Sequence, residues 1–211
     1  MIRQFLEYYA TNGAYVFEQF VRHFLISIYG VLFASMVAIP IGFYISRKYN
    51  LSQIVISLAN ILQTIPSLAM VSILMIVMGL GVNTVIMAVF LYSLLPIIKN
   101  TYTGVRNVDK NLVDVAKAMG MTKLQVIFKI ELPLSISIIM AGVRNALVMA
   151  IGVTAIGTFI GAGGLGDIIT RGINVSNGSA IIFAGALPTA LMAVISDIVL
   201  QRIEKLLDPL K

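Results

Sequence analysis

The chain has 211 residues, of which 59% are apolar and only 11% are charged. An ordinary soluble domain is about 45–50% apolar and about 25% charged, so the composition excludes a soluble protein and indicates one that lies in a membrane. Cys is absent and His occurs once, which excludes disulfides and metal clusters of His and Cys ligands.

Stretches without a charged residue predict how often the chain crosses the membrane. One crossing takes about 20 apolar residues. The charge-free stretch 49–98 is long enough for two crossings, and the stretches 24–46, 145–166 and 172–196 hold one each. We therefore predict an all-α polytopic membrane protein with five transmembrane helices, at residues 24–46, 54–78, 84–98, 134–160 and 180–199.

The segment before the first span, residues 1–22, alternates aromatic and polar side chains. This pattern is typical of a helix in the membrane interface, with a partly ordered tail as the alternative. The segment lacks the short apolar region of a cleaved signal peptide, so the first span is expected to stay in the mature protein. We expect His23 to be an interfacial side chain, residues 23–205 to form the membrane domain and residues 206–211 to form a cytoplasmic tail.

The second span contains Pro66 near its middle. A proline there frees a backbone carbonyl and kinks the helix, which is tolerated where a neighbouring helix or a wet cavity satisfies that carbonyl. The sequence therefore predicts a kinked second span beside such a partner.

The longest polar segment between two spans, residues 99–131, predicts a helical hairpin. Asp109 can cap a first helix that is apolar on one face, and Gly120 follows as a left-handed stop. Thr122 and Gln125 have the spacing of a capping box that opens a second helix. A hairpin joined to a span can pass force from a soluble partner into the membrane, although periodicity alone leaves open a linker that merely lies on the bilayer.

Two charged residues, Arg144 and Asp197, lie closest to the predicted hydrocarbon. A charge at this depth usually faces the bundle interior or water. We expect Arg144 to line an inner vestibule or to pair with a carboxylate such as Glu131 or Asp114, with a purely structural tie at the inner interface as the alternative.

A glycine-rich segment follows the fourth span. Gly161, Gly163 and Gly166 match the dinucleotide fingerprint, but that motif is meaningful only in a soluble βαβ unit with an acidic residue about 20 positions on, and neither condition holds here. We interpret the segment as a tight turn or short re-entrant stretch in which glycines allow close packing. Asp167 and Arg171 would then offer polar contacts to an external partner.

The basic residues predict the orientation. Eleven Lys and Arg residues fall in the segments after spans one, three and five, against three on the opposite face. Because basic residues collect on the cytoplasmic side, we expect the N-terminus outside and the C-terminus in the cytoplasm. The net charge of +6 is thus explained by topology and acidic lipid and does not indicate nucleic acid as a partner.

The hairpin resembles the EAA motif of permease subunits of bacterial ABC importers. That motif reads Glu-Ala-Ala, three residues, Gly, nine residues, Ile, one residue, Leu-Pro. The matching positions at identical spacing are Asp114, Val115, Ala116, Gly120, Ile130, Leu132 and Pro133. Asp114 replaces Glu and keeps the carboxylate on a shorter arm. Val115 replaces the first Ala, which indicates a variant branch of this family.

The resemblance implies a type I ABC importer permease (MetI-like) fold, in which a coupling segment, residues 109–133, docks into a groove of a cytoplasmic ATPase. Gly120 would form the corner of the hairpin, and Ala116 would allow close approach. The residues that the resemblance assigns to ATPase coupling are Asp114, Ala116, Lys117, Gly120 and Met121.

Further runs resemble the permeases of the osmoprotectant uptake family, which carry glycine betaine, carnitine or choline. These runs are residues 63–69, 92–96, 100–104 and 159–167. The similarity extends over most of residues 24–205, although permeases for methionine share the glycine-rich run. The implied function is transport of quaternary ammonium solutes, with a methionine-type importer as the alternative in the same class and a passive channel or an assembly protein as alternatives outside it.

The implied assembly has several partners in a bacterial inner or plasma membrane. They are a second permease subunit, identical or related, a cytoplasmic ATPase dimer, and an extracellular lipid-anchored or periplasmic solute-binding protein. No phosphate-binding loop is present, so we expect no enzyme activity and no cofactor on this chain, with ATP on the ATPase.

Two groups of candidate site residues follow from this assembly. We hypothesise that the translocation path is lined by Gln63, Pro66, Ser67, Met70, Asn145 and Met149. Contact with the binding protein is expected at Gly163, Gly164, Asp167 and Arg171.

Overall fold

The computed structural model describes residues 2–207, which fold into nine α-helices without a β-strand in that range. A π-helical segment (Ile127–Glu131) precedes the seventh helix and a 3₁₀ turn (Gly157–Ile160) follows it. The helices are α1 (Ile2–Ile45), α2 (Tyr49–Thr64), α3 (Ser67–Met78), α4 (Val82–Arg106), α5 (Lys110–Ala118), α6 (Lys123–Val126), α7 (Leu132–Ile156), α8 (Leu165–Ile173) and α9 (Ser179–Leu207).

Four helical stretches are long and apolar enough to cross a membrane. They are α1, α4, the stretch Lys123–Ile160 that includes α7, and α9. The pair α2 and α3 passes the same test only when taken together, and the two helices bend by 96° at the break between them. With this pair as one broken span, the five predicted crossings are all found among the described residues.

The first helix runs without a break from Ile2 to Ile45 and contains Pro40. Residues 2–22 and the first predicted span therefore belong to one helix of 44 residues. Whether its first half lies in the membrane interface stays a prediction. The predicted tail, residues 206–211, lies mostly outside the described residues.

The predicted kink at Pro66 is confirmed and is a full break. Ile65 has an extended backbone with ψ of 127°, as expected for a residue that precedes proline. The hydroxyl of Tyr92 on α4 donates a hydrogen bond to the carbonyl of Ile65. The neighbouring helix thus satisfies a carbonyl that the break removes from the helical ladder.

The core is centred on α4, which packs against α1 on one side and α7 on the other. Val85 and Val89 on α4 are fully buried. Glycines allow the helices to approach closely: a Cβ on Gly30 would lie 2.4 Å from Val89 Cγ1, and one on Gly142 would lie 2.7 Å from Asn100 Cβ. The helices around α4 are therefore held at a separation that larger side chains would not permit.

Candidate functional site

The first half of the hairpin (residues 109–133) has the predicted local structure. The Asp109 side chain accepts a hydrogen bond of 2.9 Å from the Asn111 N–H and caps α5. Gly120 has a φ of +85°, and the N–H of Met121 donates to the carbonyl of Ala116. This is the left-handed stop that a glycine provides most readily.

The second half begins with the predicted capping box. The Thr122 side chain accepts from the Gln125 N–H, and the Gln125 side chain accepts from the Thr122 N–H. The helix then widens into the π-helical segment before it enters α7, with Pro133 in the first turn. The sequence did not predict the π-helical segment, because no residue pattern marks where one extra residue enters a helical turn.

The hairpin carries several large apolar side chains that are exposed rather than buried in the protein. Val115 is 58% exposed, Met119 79% and Leu124 66%. Exposed apolar groups that lie together indicate an interaction site. Asp114 and Lys117 form an exposed ion pair of 3.1 Å beside them. A groove of about 370 Å³ runs along this face and is lined by Leu112, Val115, Ala116, Met119, Met121, Lys129, Ile130, Pro133 and Leu134.

The residues assigned to ATPase coupling take different positions on the hairpin. Asp114, Lys117 and Gly120 are exposed, Met121 is half-buried and Ala116 is buried. Ala116 still lines the groove, so its small side chain forms the floor of that groove. Their role in binding an ATPase stays a prediction.

The hairpin is tied to the end of the first span by an ion pair. Arg47 donates through its guanidinium to the Glu131 carboxylate, and the same side chain also donates to the Phe43 carbonyl. The Glu131 side chain is only 10% exposed. Since the π-helical segment carries Glu131, this contact fixes the second half of the hairpin to α1.

A cavity of about 700 Å³ lies between α2, α4, α7 and α9. It brings together three of the six hypothesised path residues, Gln63, Asn145 and Met149. Its lining residues are Gln63, Leu95, Pro96, Lys99, Asn100, Asn145, Val148, Met149, Ala193, Val194 and Asp197. The cavity combines amide groups, two charges and an apolar wall.

The other three hypothesised path residues lie elsewhere. Pro66 is exposed, Ser67 is half-buried, and neither lines the cavity. Met70 is 4% exposed and packs in the core. Sequence reasoning missed Lys99 and Asn100 as lining residues. Their signal was that both are polar and directly follow the third predicted span.

Arg144 pairs with two carboxylates, but neither is one of those named from the sequence. Its Nε lies 3.0 Å from Asp197 Oδ1, and its Nη1 lies 3.0 Å from Glu204 Oε2. The suggestion of Glu131 or Asp114 is therefore wrong. Both alternatives lie on the hairpin, whereas α7 and α9 pack side by side and bring Asp197 and Glu204 against Arg144.

The glycine-rich segment forms a tight turn, as predicted, and is clamped onto α1. The backbone angle φ is +74° at Gly161 and +85° at Gly164. The N–H of Gly164 donates to Gln19 Oε1 at 2.7 Å, and the N–H of Leu165 donates to His23 Nδ1 at 3.2 Å. These bonds hold the turn and the start of α8 against the first helix.

His23 is fully buried in this contact, so the expectation of an interfacial side chain is wrong. Its Nε2 lies 2.9 Å from the Ile151 carbonyl. Because Nδ1 accepts a hydrogen bond, the ring proton is on Nε2, and the imidazole is neutral. No sequence pattern indicated this role, because both partners lie far away along the chain, on helices that only the fold brings to His23.

Four residues of the glycine-rich region were assigned to contact with a binding protein. Gly163 is half-buried and Gly164 is buried beneath His23. Asp167 and Arg171 form an ion pair of 2.9 Å, the Tyr15 hydroxyl donates to Asp167, and the Arg171 guanidinium lies 4.8 Å from the centre of the Tyr15 ring. Arg171 is the most exposed of the four, and the contact itself stays a prediction.

Comparison with known proteins identifies the family. A family model described as "Binding-protein-dependent transport system inner membrane component" matches residues 30–210. The chain belongs to this family. Members are multi-pass membrane permeases, and this chain is accordingly a permease subunit of an importer and has no enzyme activity of its own.

Curated relatives of this family match along the whole chain. The "Carnitine transport permease protein OpuCD" of Listeria monocytogenes is 63% identical over 210 residues, which is 100% of this chain and 94% of that protein. The "Glycine betaine/carnitine/choline transport system permease protein OpuCD" of Bacillus subtilis is 60% identical, over 100% of this chain and 92% of that protein.

A second permease of Bacillus subtilis carries the same system name but is less similar. The "Glycine betaine/carnitine/choline transport system permease protein OpuCB" is 39% identical, over 99% of this chain and 95% of that protein. One relative system thus has two permease proteins that differ in their similarity to this chain.

A solved structure confirms the predicted type I importer permease fold. The permease in "Inward facing conformations of the MetNI methionine ABC transporter" matches with a TM-score of 0.81 and 18% identity, over 91% of this chain and 95% of that chain. At this identity the match concerns the fold alone.

Proposed function

We propose that this chain is a transmembrane permease subunit of an ATP-driven importer for quaternary ammonium solutes, which serves osmoprotection. The observation that carries the proposal is the identity of 60–63% along the whole chain with permeases named for carnitine, glycine betaine and choline. The match to the methionine transporter is far weaker in sequence, which favours a quaternary amine over methionine.

The hairpin is the proposed docking element for a cytoplasmic ATPase. Three features support this role: the EAA-like spacing, the exposed Val115 and Met119, and the apolar groove beside them. The ion pair of Arg47 with Glu131 fixes the hairpin to the first span. Closure of an ATPase dimer would move two such hairpins together, and the attached spans would follow.

The other partners are proposed from the same assembly. The second permease is a related rather than an identical subunit, which is supported by the two permeases of one Bacillus subtilis system. A solute-binding protein docks on the outer face at the glycine-rich region, and the N-terminus lies on that face. ATP binds to the ATPase, and no cofactor is assigned to this chain.

The proposal is tested with the complete transporter reconstituted in vesicles. We expect ATP-dependent uptake of labelled carnitine, glycine betaine and choline that requires the binding protein. Uptake of methionine in place of these solutes would support the methionine-type alternative, and solute flux without any ATPase would support the passive channel.

The docking role is tested by Gly120→Asp, with Gly79→Asp as the matched control. Both glycines have a positive φ, +85° and +81°, and a Cβ added at either would have no atom within 4 Å. Both are exposed, so each variant adds an exposed carboxylate to a residue with positive φ, at two different places. We expect Gly120→Asp to lose the co-purified ATPase and uptake, and Gly79→Asp to retain the ATPase. Equal retention of the ATPase in both would contradict the assignment.

A further inference from the structure

The cavity between α2, α4, α7 and α9 contains two charged side chains of opposite sign on different helices. Lys99 stands on α4 and Asp197 on α9, and both line the cavity. None of the ion pairs among residues 2–207 includes Lys99. Its ammonium group is therefore available to an anionic group that enters the cavity.

Asp197 keeps a negative charge available despite its contact with Arg144. Arg144 is shared between Asp197 and Glu204, each at 3.0 Å, so the three side chains together carry one net negative charge. Asp197 is 46% exposed, whereas Glu204 is 20% exposed. The more accessible carboxylate of the three-residue cluster is thus the one that lines the cavity, and Arg144 holds it in position.

The rest of the lining suits a cation that has no N–H group. A quaternary ammonium group donates no conventional hydrogen bond and is recognised by apolar contact and a nearby negative charge. Pro96, Val148, Met149 and Val194 supply the apolar contact beside Asp197. No aromatic ring is among the described lining residues, and such a ring would bind this group more tightly. Weak contact favours release, which transport requires.

We propose that this cavity is a transit subsite for zwitterionic solutes, in which Lys99 meets the carboxylate and Asp197 meets the quaternary ammonium group. Lys99 and Asp197 are then residues that determine specificity, and Arg144 is a positioning residue. The inference rests on the proposed function and adds that the permease itself discriminates solutes by their carboxylate.

The test compares a zwitterion with a cation in the complete transporter. Glycine betaine carries both charged groups, whereas choline lacks the carboxylate. Uptake of each is measured in the same vesicles at a saturating concentration of solute and binding protein. We expect Lys99→Gln to lower the ratio of glycine betaine to choline uptake by about two- to fivefold, the range for one exposed ion pair.

Two variants of lysine serve as controls. Lys99→Arg keeps the charge and should restore the wild-type ratio. Lys205→Gln removes the same charge from an exposed position on α9 that does not line the cavity, and it should leave the ratio unchanged. A wild-type ratio in Lys99→Gln, or an equal shift in Lys205→Gln, overturns the assignment of Lys99.

The role of Asp197 is tested with both glycine betaine and choline, because both solutes carry the quaternary ammonium group. We expect Asp197→Asn to slow uptake of glycine betaine and of choline alike, while Glu204→Gln, which also removes one partner of Arg144, slows neither to the same extent. Equal loss in both variants would mean that the cluster is only structural and would overturn the role of Asp197.

If the proposed function is wrong, the experiment gives a result that differs from failure of the subsite alone. A wild-type transporter without ATP-dependent uptake of any quaternary ammonium solute refutes the function, and the subsite with it. If wild-type uptake of choline lies below detection, glycine betaine uptake by Lys99→Gln and Lys99→Arg is compared, and equal rates overturn the subsite.

Discussion

His23 is a buried histidine whose two ring nitrogens are both used. Nδ1 accepts from the Leu165 N–H and Nε2 bonds to the Ile151 carbonyl, so one side chain joins three helices, α1, α7 and α8. Its loss would leave the Leu165 N–H buried without an acceptor, which costs more than the loss of an exposed bond.

We expect His23→Phe to lower the free energy of unfolding by about 1–3 kcal/mol, because it removes both hydrogen bonds and orphans the Leu165 N–H. Thermal unfolding of the purified permease in detergent measures this. His23→Asn is the control, since its side-chain oxygen can replace Nδ1 as the acceptor, and its stability should lie between the other two. Equal stability of wild type and His23→Phe would refute the role of these bonds.

For individual residues, the sequence predicted contacts between residues that are close along the chain and missed contacts between residues that are far apart along it. The caps at Asp109 and Thr122 and the positive φ at Gly120 follow from residues a few positions apart. The partners of His23 and Arg144 depend on which helices pack together, and no local pattern records that.

Among the elements, α4 and α7 are in close contact where Gly142 faces Asn100 and the carbonyl of Pro96. A Cβ at Gly142 would lie 2.7 Å from Asn100 Cβ and 2.8 Å from the Pro96 oxygen. Neither atom is the flexible end of a side chain, so the two helices would have to separate. This contact sets the distance between the elements that bear Lys99 and Asn145.

We expect Gly142→Ala to destabilise the protein by about 1–3 kcal/mol, the usual cost of overpacking. Gly152→Ala is the matched control in the same helix, because no atom lies within 4 Å of its Cβ position. The control should be neutral or stabilising by up to about 1 kcal/mol, since alanine is the better helix former. Thermal unfolding distinguishes the two, and equal effects would contradict the packing assignment.

The sequence predicted the positions of the membrane spans better than the angles between the helices. Charge-free stretches indicated every span, because a helix in hydrocarbon cannot carry charges cheaply. Pro66 marked the break in the second span, but its size of 96° depends on how α3 packs against α4. The sequence predicted a helix over residues 1–22 that was separate from the first span, whereas residues 2–45 form one continuous helix.

At the scale of the whole molecule, the ion pair of Arg47 and Glu131 joins the hairpin to the first helix. The Glu131 side chain is 10% exposed, while that of Arg47 is 45% exposed. Removing the guanidinium would leave a nearly buried carboxylate without its partner.

We expect Arg47→Gln to reduce uptake several-fold while the ATPase still co-purifies. The proposed docking surface stays intact in this variant, and only its tie to α1 is weakened, by about 1–2 kcal/mol for a half-exposed pair. Lys48→Gln is the control, since Lys48 contacts Tyr44 and not the hairpin. The ratio of transported solute to hydrolysed ATP measures the coupling. A wild-type ratio in Arg47→Gln would show that this ion pair does not transmit motion.

The continuous helix α1 connects the glycine-rich turn and the hairpin, because it contacts both. A helix of 44 residues measures about 66 Å at 1.5 Å per residue, roughly twice the hydrocarbon thickness of about 30 Å. Midway along this helix, Gln19 and His23 accept hydrogen bonds from the glycine-rich turn. Just past its C-terminal end, Arg47 forms the ion pair with the hairpin. The helix is therefore fastened at two separate levels, so a tilt of α1 would displace the glycine-rich turn and the hairpin together.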